Sequence, residues 1–448
     1  MRVVIVGAGI AGLSAALRLR DTLGSSPEIT LIDQAPLAGG KVRTGPAPDG
    51  YLETGAETFL FTDPAAADLA ERVGLGDALR HPAPVPAALA VGGRLVPVPR
   101  GTVMGIPTDP AAVTDIAGPV SEADQDAGRP LLGTDEDIAV GALVRKRLGE
   151  RVVDLLVDPL LGGVYAGRAD ELSLAATVPA LAAACRTEHT LTGAARVALA
   201  QRTAAGGPGF ATIEGGMSRL VDAVIAAARP DLRLGAPVRE LRRTGGGWLV
   251  GVDGQAIEAE AVVLAVPSRP AARLLTGVCP PAANAIGVLD YASVALVAFA
   301  IPDARLPELS GFLVPASEGY AVKALTIFTT KWPHLGRHDG SALLRASVGR
   351  YGEAEVLHRS DDELAALVHA ELGQLLGRPL PAPTWSRVTR WGGALPQYAP
   401  GHLDRVATAR AALADLPGIA VAGAAYDGVG IAACVRSGTA AACALTAR

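Results

Sequence analysis

Aromatic side chains are scarce: six phenylalanines, seven tyrosines and four tryptophans, 4% of 448 residues. That scarcity argues against a catalytic cage built from rings. There are only four cysteines, Cys185, Cys279, Cys434 and Cys443, and none stands in a CxxC or other zinc spacing. The pattern offers neither a disulfide framework nor a zinc module, and it predicts reduced, mostly buried thiols. No sign of charge dominates: 40 Lys and Arg face 45 Asp and Glu, for a formal net charge of −5. This leaves no broad basic face and argues against nucleic acid as the main partner, while local cationic pockets stay possible. Long apolar runs are also missing. The longest, "YASVALVAFAIP" at 291–302, is far shorter than the roughly 20 residues of a transmembrane helix. The opening "MRVVIVGAG" reads as a strand from residue 2, so no secretory leader is expected and the chain is expected to be cytoplasmic. No internal repeat or low-complexity tract is evident.

What is present points to a large folded chain. Half of it is hydrophobic, enough for two or three domains of ordinary size. "RVVIV" (2–6) has the composition of a buried parallel strand. The turn "GAGIAG" and the helix "LSAALRLRDTLG" follow, and "EITLID" (28–33) reads as a second strand, completing a βαβ unit. Gly7, Gly9 and Gly12 stand in GxGxxG register between strand and helix. The first permits a tight turn, the second lets the backbone approach a pyrophosphate, and the third allows close helix–strand packing. The helix starting near Ala11 would aim free N–H groups and its positive end at the phosphates. Asp33 closes the second strand about 20 residues past the last glycine, where a carboxylate can accept hydrogen bonds from a ribose.

Further along, Asp63 and Pro64 begin a helix, "PAALAVGGRLVPVPRG" reads as a hairpin around a Gly-Gly pair, and 107–200 is mainly helical with an acidic, proline-bearing loop near 117–137. "FATIEGGMSRLVDAVIAAA" reads as turn and helix. Residues 270–400 mix strands with a helix near 361–377, and "GIAVAGAAYDGVGIAACVRSG" is strand, glycine turn and closing helix. The first and last units look like parts of one nucleotide-binding domain, so the middle is inserted.

Two features favour FAD over NAD. "GGKVRT" (39–44) puts Lys41 and Arg43 soon after the ribose carboxylate, and the glycine turn Gly428, Val429, Gly430 opens a helix whose N-terminus could stabilise negative charge on a reduced flavin.

With "VVIVGAGIAGLSAALRL", "GGKVRT", "GYLETGAETFL", "IEGGMSRLVDAV", "VVLAVP" and "AGAAYDGVGIAACVRSG", the chain resembles the FAD superfamily of amine oxidases, phytoene desaturases and protoporphyrinogen oxidases. "LVDPLLGGVYAGRADELSL" narrows this: it is similar to the internal signature of the soluble porphyrinogen oxidases. "VGGRLVPVP" (91–99), Lys331–Trp332 and "RWGGALPQYAPGH" (390–402) agree. The resemblance spans nearly the whole chain and is closest to the coproporphyrinogen III oxidases of the bacterial coproporphyrin-dependent haem pathway. The fold it implies is α/β: a Rossmann-like FAD-binding domain of the p-hydroxybenzoate-hydroxylase and amine-oxidase type, with an inserted α+β substrate-binding domain and a helical subdomain. The expected divisions are 1–75, 205–270 and 400–448 for FAD, 76–95, 160–204 and 271–399 for substrate, and 96–159 for the helical part.

Carried over by position, the resemblance implies non-covalent FAD contacts at Gly7, Ala8, Gly9, Ile10, Ala11 and Gly12, then Asp33, Gln34 and Lys41. It continues with Gly55, Ala56, Glu57 and Thr58, the backbone of Val238 at the adenine, Trp391, and Val429, Gly430 and Ile431. Two departures stand out: the family's common "GPDS" reads "GAET" at 55–58, and Arg168 stands where many relatives have an acidic or small residue. The implied reaction removes six electrons from a porphyrinogen in three flavin cycles. Flavin N5 accepts hydride, and three O2 become three H2O2. No catalytic side chain is required, since the cofactor does the chemistry. His81, His334 and His402 are read as structural or surface histidines, and a covalent flavin at Cys434 is not expected.

The protein must then supply a macrocycle cavity with cations for propionates. Arg94, Arg100, Arg168, Lys323 and Lys331 are candidates, and Tyr165, Gly167 and Tyr398 are candidate pocket residues. The partners expected are the porphyrinogen, O2 and, transiently, a ferrochelatase. Protoporphyrinogen IX stays open as substrate. A flavin amine oxidase, with Trp391 and Tyr398 as its cage and Lys323 as its flavin-linked lysine, and a non-catalytic porphyrin carrier also stay open. "DPLLGGVYAGRADELS" (158–173) is expected to wall the cavity and make no bond, so bulk at Gly163 or Gly167 should impair turnover and spare FAD.

Overall fold

The computed structural model describes residues 1–120, 124–204, 209–337 and 339–446. The predicted boundary at 205 and residues 121–123 of the predicted acidic loop lie outside them. Two compact units emerge, one of Met1–His81, Gly207–Leu289 and Leu403–Arg448, the other of Pro82–Gly206 and Asp290–His402. Residues 96–159, expected as a separate helical part, fall within the second.

The first unit is built on a five-stranded parallel sheet in the order Asp231–Arg233, Glu28–Ile32, Arg2–Val6, Ala261–Leu264, Ile419–Val421. Arg2–Val6 is buried at every position but its first. Continuous apolar strands of this kind are what a parallel sheet covered on both faces demands. Helix Ile10–Leu23 lies against closing helix Ile431–Thr446 and helix Ser218–Ala228. A methyl group at Gly438 would collide with the Ala11 carbonyl, so this glycine lets two helix backbones touch. Leu13, Leu19 and Leu31 are fully buried in the resulting core, each contributing about 1.5–3 kcal/mol. Helix Pro64–Arg72 begins as its sequence suggests, with the Asp63 side chain accepting from Ala65 N–H. Residues 210–213, read as a turn, instead form strand Phe210–Ile213 between Phe59–Leu60 and Leu79–Arg80. Four residues ahead of a Gly-Gly pair carry too little period to announce a strand, and distant partners make it one.

The second unit has a seven-stranded sheet in the order Trp385–Pro396, Tyr291–Ile301, Ala342–Val348, Val322–Ile327, Gly311–Leu313, Ala87–Val91, Arg94–Pro97. All neighbours are antiparallel except Gly311–Leu313 with Ala87–Val91. The predicted hairpin is there, with Gly92 and Gly93 at φ +57° and +72°, as a two-residue turn between twisted strands requires. Helix Asp361–Leu375 starts with a capping box between Ser360 and Glu363 and buries Leu364, Val368 and Leu372 on one stripe. Among the helices of 107–200, a π-helical stretch at Val153–Val157 runs directly into helix Asp158–Tyr165.

Candidate functional site

In the first unit the three glycines of the opening turn differ in their physical reasons. Gly7 is at φ +110° and its missing Cβ would strike the Ala265 carbonyl. A Cβ on Gly12 would strike the Gly7 carbonyl. Gly9 has neither constraint: its φ is −73° and a Cβ there would meet nothing within 4 Å. It caps helix Ile10–Leu23 with no side chain, so the first N–H groups of that helix point outward without a side-chain cap.

Asp33 ties this turn to the second strand. Its Oδ2 accepts from Ala8 N–H and its Oδ1 from Ala35 N–H, both at 2.8 Å. Each oxygen keeps a further lone pair for a ribose hydroxyl. Gln34 beside it is exposed. The chain near Val238 reaches the same place, since Ala236 N–H donates to the Asp33 carbonyl at 2.9 Å.

Gly39 N–H donates to the Ala8 carbonyl at 2.8 Å, so the "GGKVRT" segment lies beside the turn. Next comes Lys41, whose carbonyl accepts from Ala56 N–H and thereby fixes the Gly55–Thr58 loop. Burial lowers the Lys41 pKa, and the Cys434 thiol opposes that shift. The loop's Glu57 is buried. Residue-by-residue reading overlooked Glu53, a buried carboxylate that accepts from Thr44 Oγ1 and from Met217 N–H at 2.8 Å. It joins "GYLETG" to "IEGGM", and a glutamate closing the short, otherwise uncharged strand Gly50–Glu53 was the signal available.

In the closing turn, Val429 is half-buried, Gly430 is exposed, and Ile431 is buried as the first residue of the last helix. A Cβ on Gly430 would also meet nothing within 4 Å. Cys434 Sγ lies 3.7 Å from the Gly428 carbonyl, and burial raises its pKa to about 11. Such a thiol stays protonated and is a poor nucleophile.

In the second unit the stretch 158–173 is a helix end with a purpose-built exit. Helix Asp158–Tyr165 stops at Ala166, a non-glycine residue at φ +51° that is fully buried. Gly163 and Val164 are exposed, the latter at 45%. Tyr165 packs edge-on to Tyr398 with ring centroids 5.8 Å apart, and Tyr398 stacks on His402 at 4.4 Å. Burial raises the Tyr165 pKa to about 12. Gly167 is buried, and a Cβ there would collide with the Gln397 side chain, whose amide donates to the Tyr165 and Leu395 carbonyls. Bulk at Gly167 therefore threatens packing, whereas bulk at Gly163 projects from an exposed face beside Leu313.

The candidate cations separate. Arg94 and Arg100 are exposed. Arg168 pairs with Glu353 at 2.9 Å and approaches Asp158 at 3.8 Å. Burial raises the Asp158 pKa, opposed by the bond from Ala169 N–H and by Arg168 and Arg350. Lys331 lies 5.4 Å from the Trp332 ring centre. Lys323 is only 7% exposed, an interior group and not a rim cation. Trp391 is half-buried in strand Trp385–Pro396, opposite Val294. The buried Arg350, which sequence reading missed, donates to the Tyr320 and Val314 carbonyls, each at 3.0 Å.

The first unit's donors suit a dinucleotide. Gly9 and Gly430 have no steric or conformational reason of their own to be glycine, and a ligand lying against the backbone supplies one. Two long helices begin at these positions, and helix starts favour anionic groups.

The profile described as "Flavin containing amine oxidoreductase" matches residues 10–446. A Mycobacterium tuberculosis protein named coproporphyrinogen III oxidase is 38% identical over 437 residues, 96% of this chain and 94% of that protein. A Bacillus subtilis protein of the same name is 32% identical, covering 98% and 96%. Among solved structures, a putative protoporphyrinogen oxidase from Exiguobacterium sp. 255-15 superposes with a TM-score of 0.84 at 30% identity, covering 98% and 97%.

Proposed function

This chain belongs to the flavin-containing amine oxidoreductase family, and from that premise we propose that it is an FAD-dependent oxidase that converts coproporphyrinogen III to coproporphyrin III with O2 as electron acceptor. The observation that carries the substrate is the near full-length similarity to proteins named coproporphyrinogen III oxidase. When bound, the flavin supplies the two-electron oxidation chemistry, repeated three times per macrocycle.

The chain's own residues bind and orient. The turn Gly7–Gly12 and the first N–H groups of helix Ile10–Leu23 would hold the pyrophosphate. Asp33, with Gln34 beside it, would meet the ribose, Val238 the adenine, and Lys41 and the Gly55–Thr58 loop the rest of the cofactor. Val429, Gly430 and Ile431 would set a helix start against its anionic edge. In the second unit, Gly163 and Val164 with Tyr165, Gly167 and Tyr398 would shape the macrocycle's space. Arg168 and Lys331 would answer propionates at its edge. Four propionates make this substrate water-soluble, and among the described residues no helix is long and apolar enough to cross a membrane. We read the protein as working in the cytoplasm on a porphyrinogen and O2, and passing its product to a ferrochelatase by transient contact.

The test is anaerobic mixing followed by aerobic turnover. Coproporphyrinogen III should bleach the flavin promptly, and in air about three H2O2 should appear per porphyrin formed. Bleaching by amines with no response to coproporphyrinogen III would overturn the reading in favour of an amine oxidase. Porphyrin binding without peroxide would indicate a carrier, and a higher kcat/KM with protoporphyrinogen IX would reassign the substrate.

A further inference from the structure

Lys323 sits in strand Val322–Ile327 at an irregularity. The pairing with Ala342–Val348 slips between Val322 and Ala324, which makes Lys323 the extra residue of a β-bulge. A bulge re-aims the side chain it carries. Here the side chain runs inward: Lys323 is 7% exposed, and its Nζ lies 3.4 Å from the Gly162 carbonyl, to which it donates.

That carbonyl belongs to the last turn of helix Asp158–Tyr165, at the negative end of the helix dipole. It also accepts from Ala166 N–H at 2.9 Å, the left-handed residue that ends the helix. Two donors thus converge on one oxygen at the point where the chain turns away. The next two residues are the exposed pair Gly163 and Val164. On the lysine's side, its carbonyl accepts from Val314 N–H at 2.9 Å, and Arg350 grips the Val314 and Tyr320 carbonyls. The strand end is therefore fixed, and the side-chain amine projects from a rigid base.

A buried amine with no charged partner is costly whether it keeps its proton or gives it up, and a methionine would fill the same space without that cost. The cost calls for a compensating role, and among the described residues the Gly162 carbonyl is the hydrogen-bond partner of this amine.

We propose that Lys323 is a positioning residue for the substrate: by donating to the Gly162 carbonyl it holds the end of helix Asp158–Tyr165, so that Gly163 and Val164 present a fixed wall to the porphyrinogen. This rests on the function proposed above for the substrate, but not for the helix.

The test compares FAD-loaded wild type with Lys323→Met and Lys323→Arg. Lys323→Met removes the donor and keeps the stem, so it should fold and retain flavin. It should raise the KM for coproporphyrinogen III about tenfold, equivalent to about 1.4 kcal/mol, with kcat unchanged. Lys323→Arg, which keeps a donor, should recover most of that loss. Independently of turnover, hydrogen exchange over residues 158–167 should be about tenfold faster in Lys323→Met, with residues 1–30 unaffected. Unchanged exchange over 158–167 would overturn the proposal outright. Faster exchange with unchanged KM would overturn the substrate role, as would equal KM losses in both variants. If wild type does not oxidise coproporphyrinogen III at all, the substrate reading falls, while the exchange result still decides whether Lys323 holds the helix.

Discussion

Lys323 concentrates the pH response of the interior in one side chain. Burial lowers its pKa from 10.5 to about 7, and the Arg350 guanidinium adds to the shift. The unfolded chain therefore binds a proton between those two values that the folded chain does not, so folding stability rises with pH across that window. Moving down in pH, the loss begins near the unfolded value of 10.5 and is complete below about 7. Lys323→Met should therefore gain stability over wild type as pH is lowered from about 10 to 7, with the difference flat below that. Urea midpoints of the two proteins across that range check it, and a difference independent of pH would contradict it. Tyr165, raised to about 12, and Cys434, raised to about 11, keep their protons throughout the neutral range. The residue types of this site were visible in the sequence, but their environments were not. Lys323 and Arg168 read alike as candidate cations, yet one is inside against a carbonyl and the other pairs with Glu353 at 38% side-chain exposure.

At the level of elements, the strand–turn–helix at 2–23 was the most legible part of the molecule, because its glycines stand in GxGxxG register between a buried strand and a helix. The structure separates their roles further and yields a contrast. Gly9→Ala adds a methyl group that meets no protein atom, so it should cost under about 1 kcal/mol of apoprotein stability while weakening FAD binding strongly. Gly12→Ala drives a methyl group into the Gly7 carbonyl and should destabilise the fold by at least about 1–3 kcal/mol with or without flavin. Thermal melts of apoprotein together with FAD titrations distinguish the two, and equal destabilisation by both would remove the case for a ligand at Gly9. Gly438 was not legible in the same way. A glycine within a helix gives no sign of its purpose until the partner backbone is seen beside it. The exposed Gly163–Val164 face of helix Asp158–Tyr165 is similar: the sequence marked the run as apolar and glycine-thinned, and only folding exposes that face.

For the whole molecule, the flavin site proposed above would make FAD part of the stability of the first unit. A ligand that binds only the folded chain stabilises it by RT ln(1 + [L]/Kd), about 2.7 kcal/mol at a hundredfold excess over Kd. Stripping FAD should lower the melting temperature, and adding it back should raise the transition progressively with FAD concentration. A transition indifferent to FAD would argue against a flavin site in this unit. Both units are assembled from separated stretches of chain. For that reason periodicity could indicate an inserted middle but not how its pieces group: residues 96–159 carry helical signals of their own and still fold with the strands that follow them.

By itself the sequence determined the dinucleotide turn, the closing glycine turn and the family, because these depend on local backbone freedom and on runs of residues whose identity is their message. Tertiary structure alone decided which carboxylates and cations are buried together, that Phe210–Ile213 is a strand, and that a bulge turns Lys323 toward the Gly162 carbonyl. Those outcomes depend on the register of strands far apart in the chain, and no local pattern encodes a one-residue slip between Val322 and Ala324.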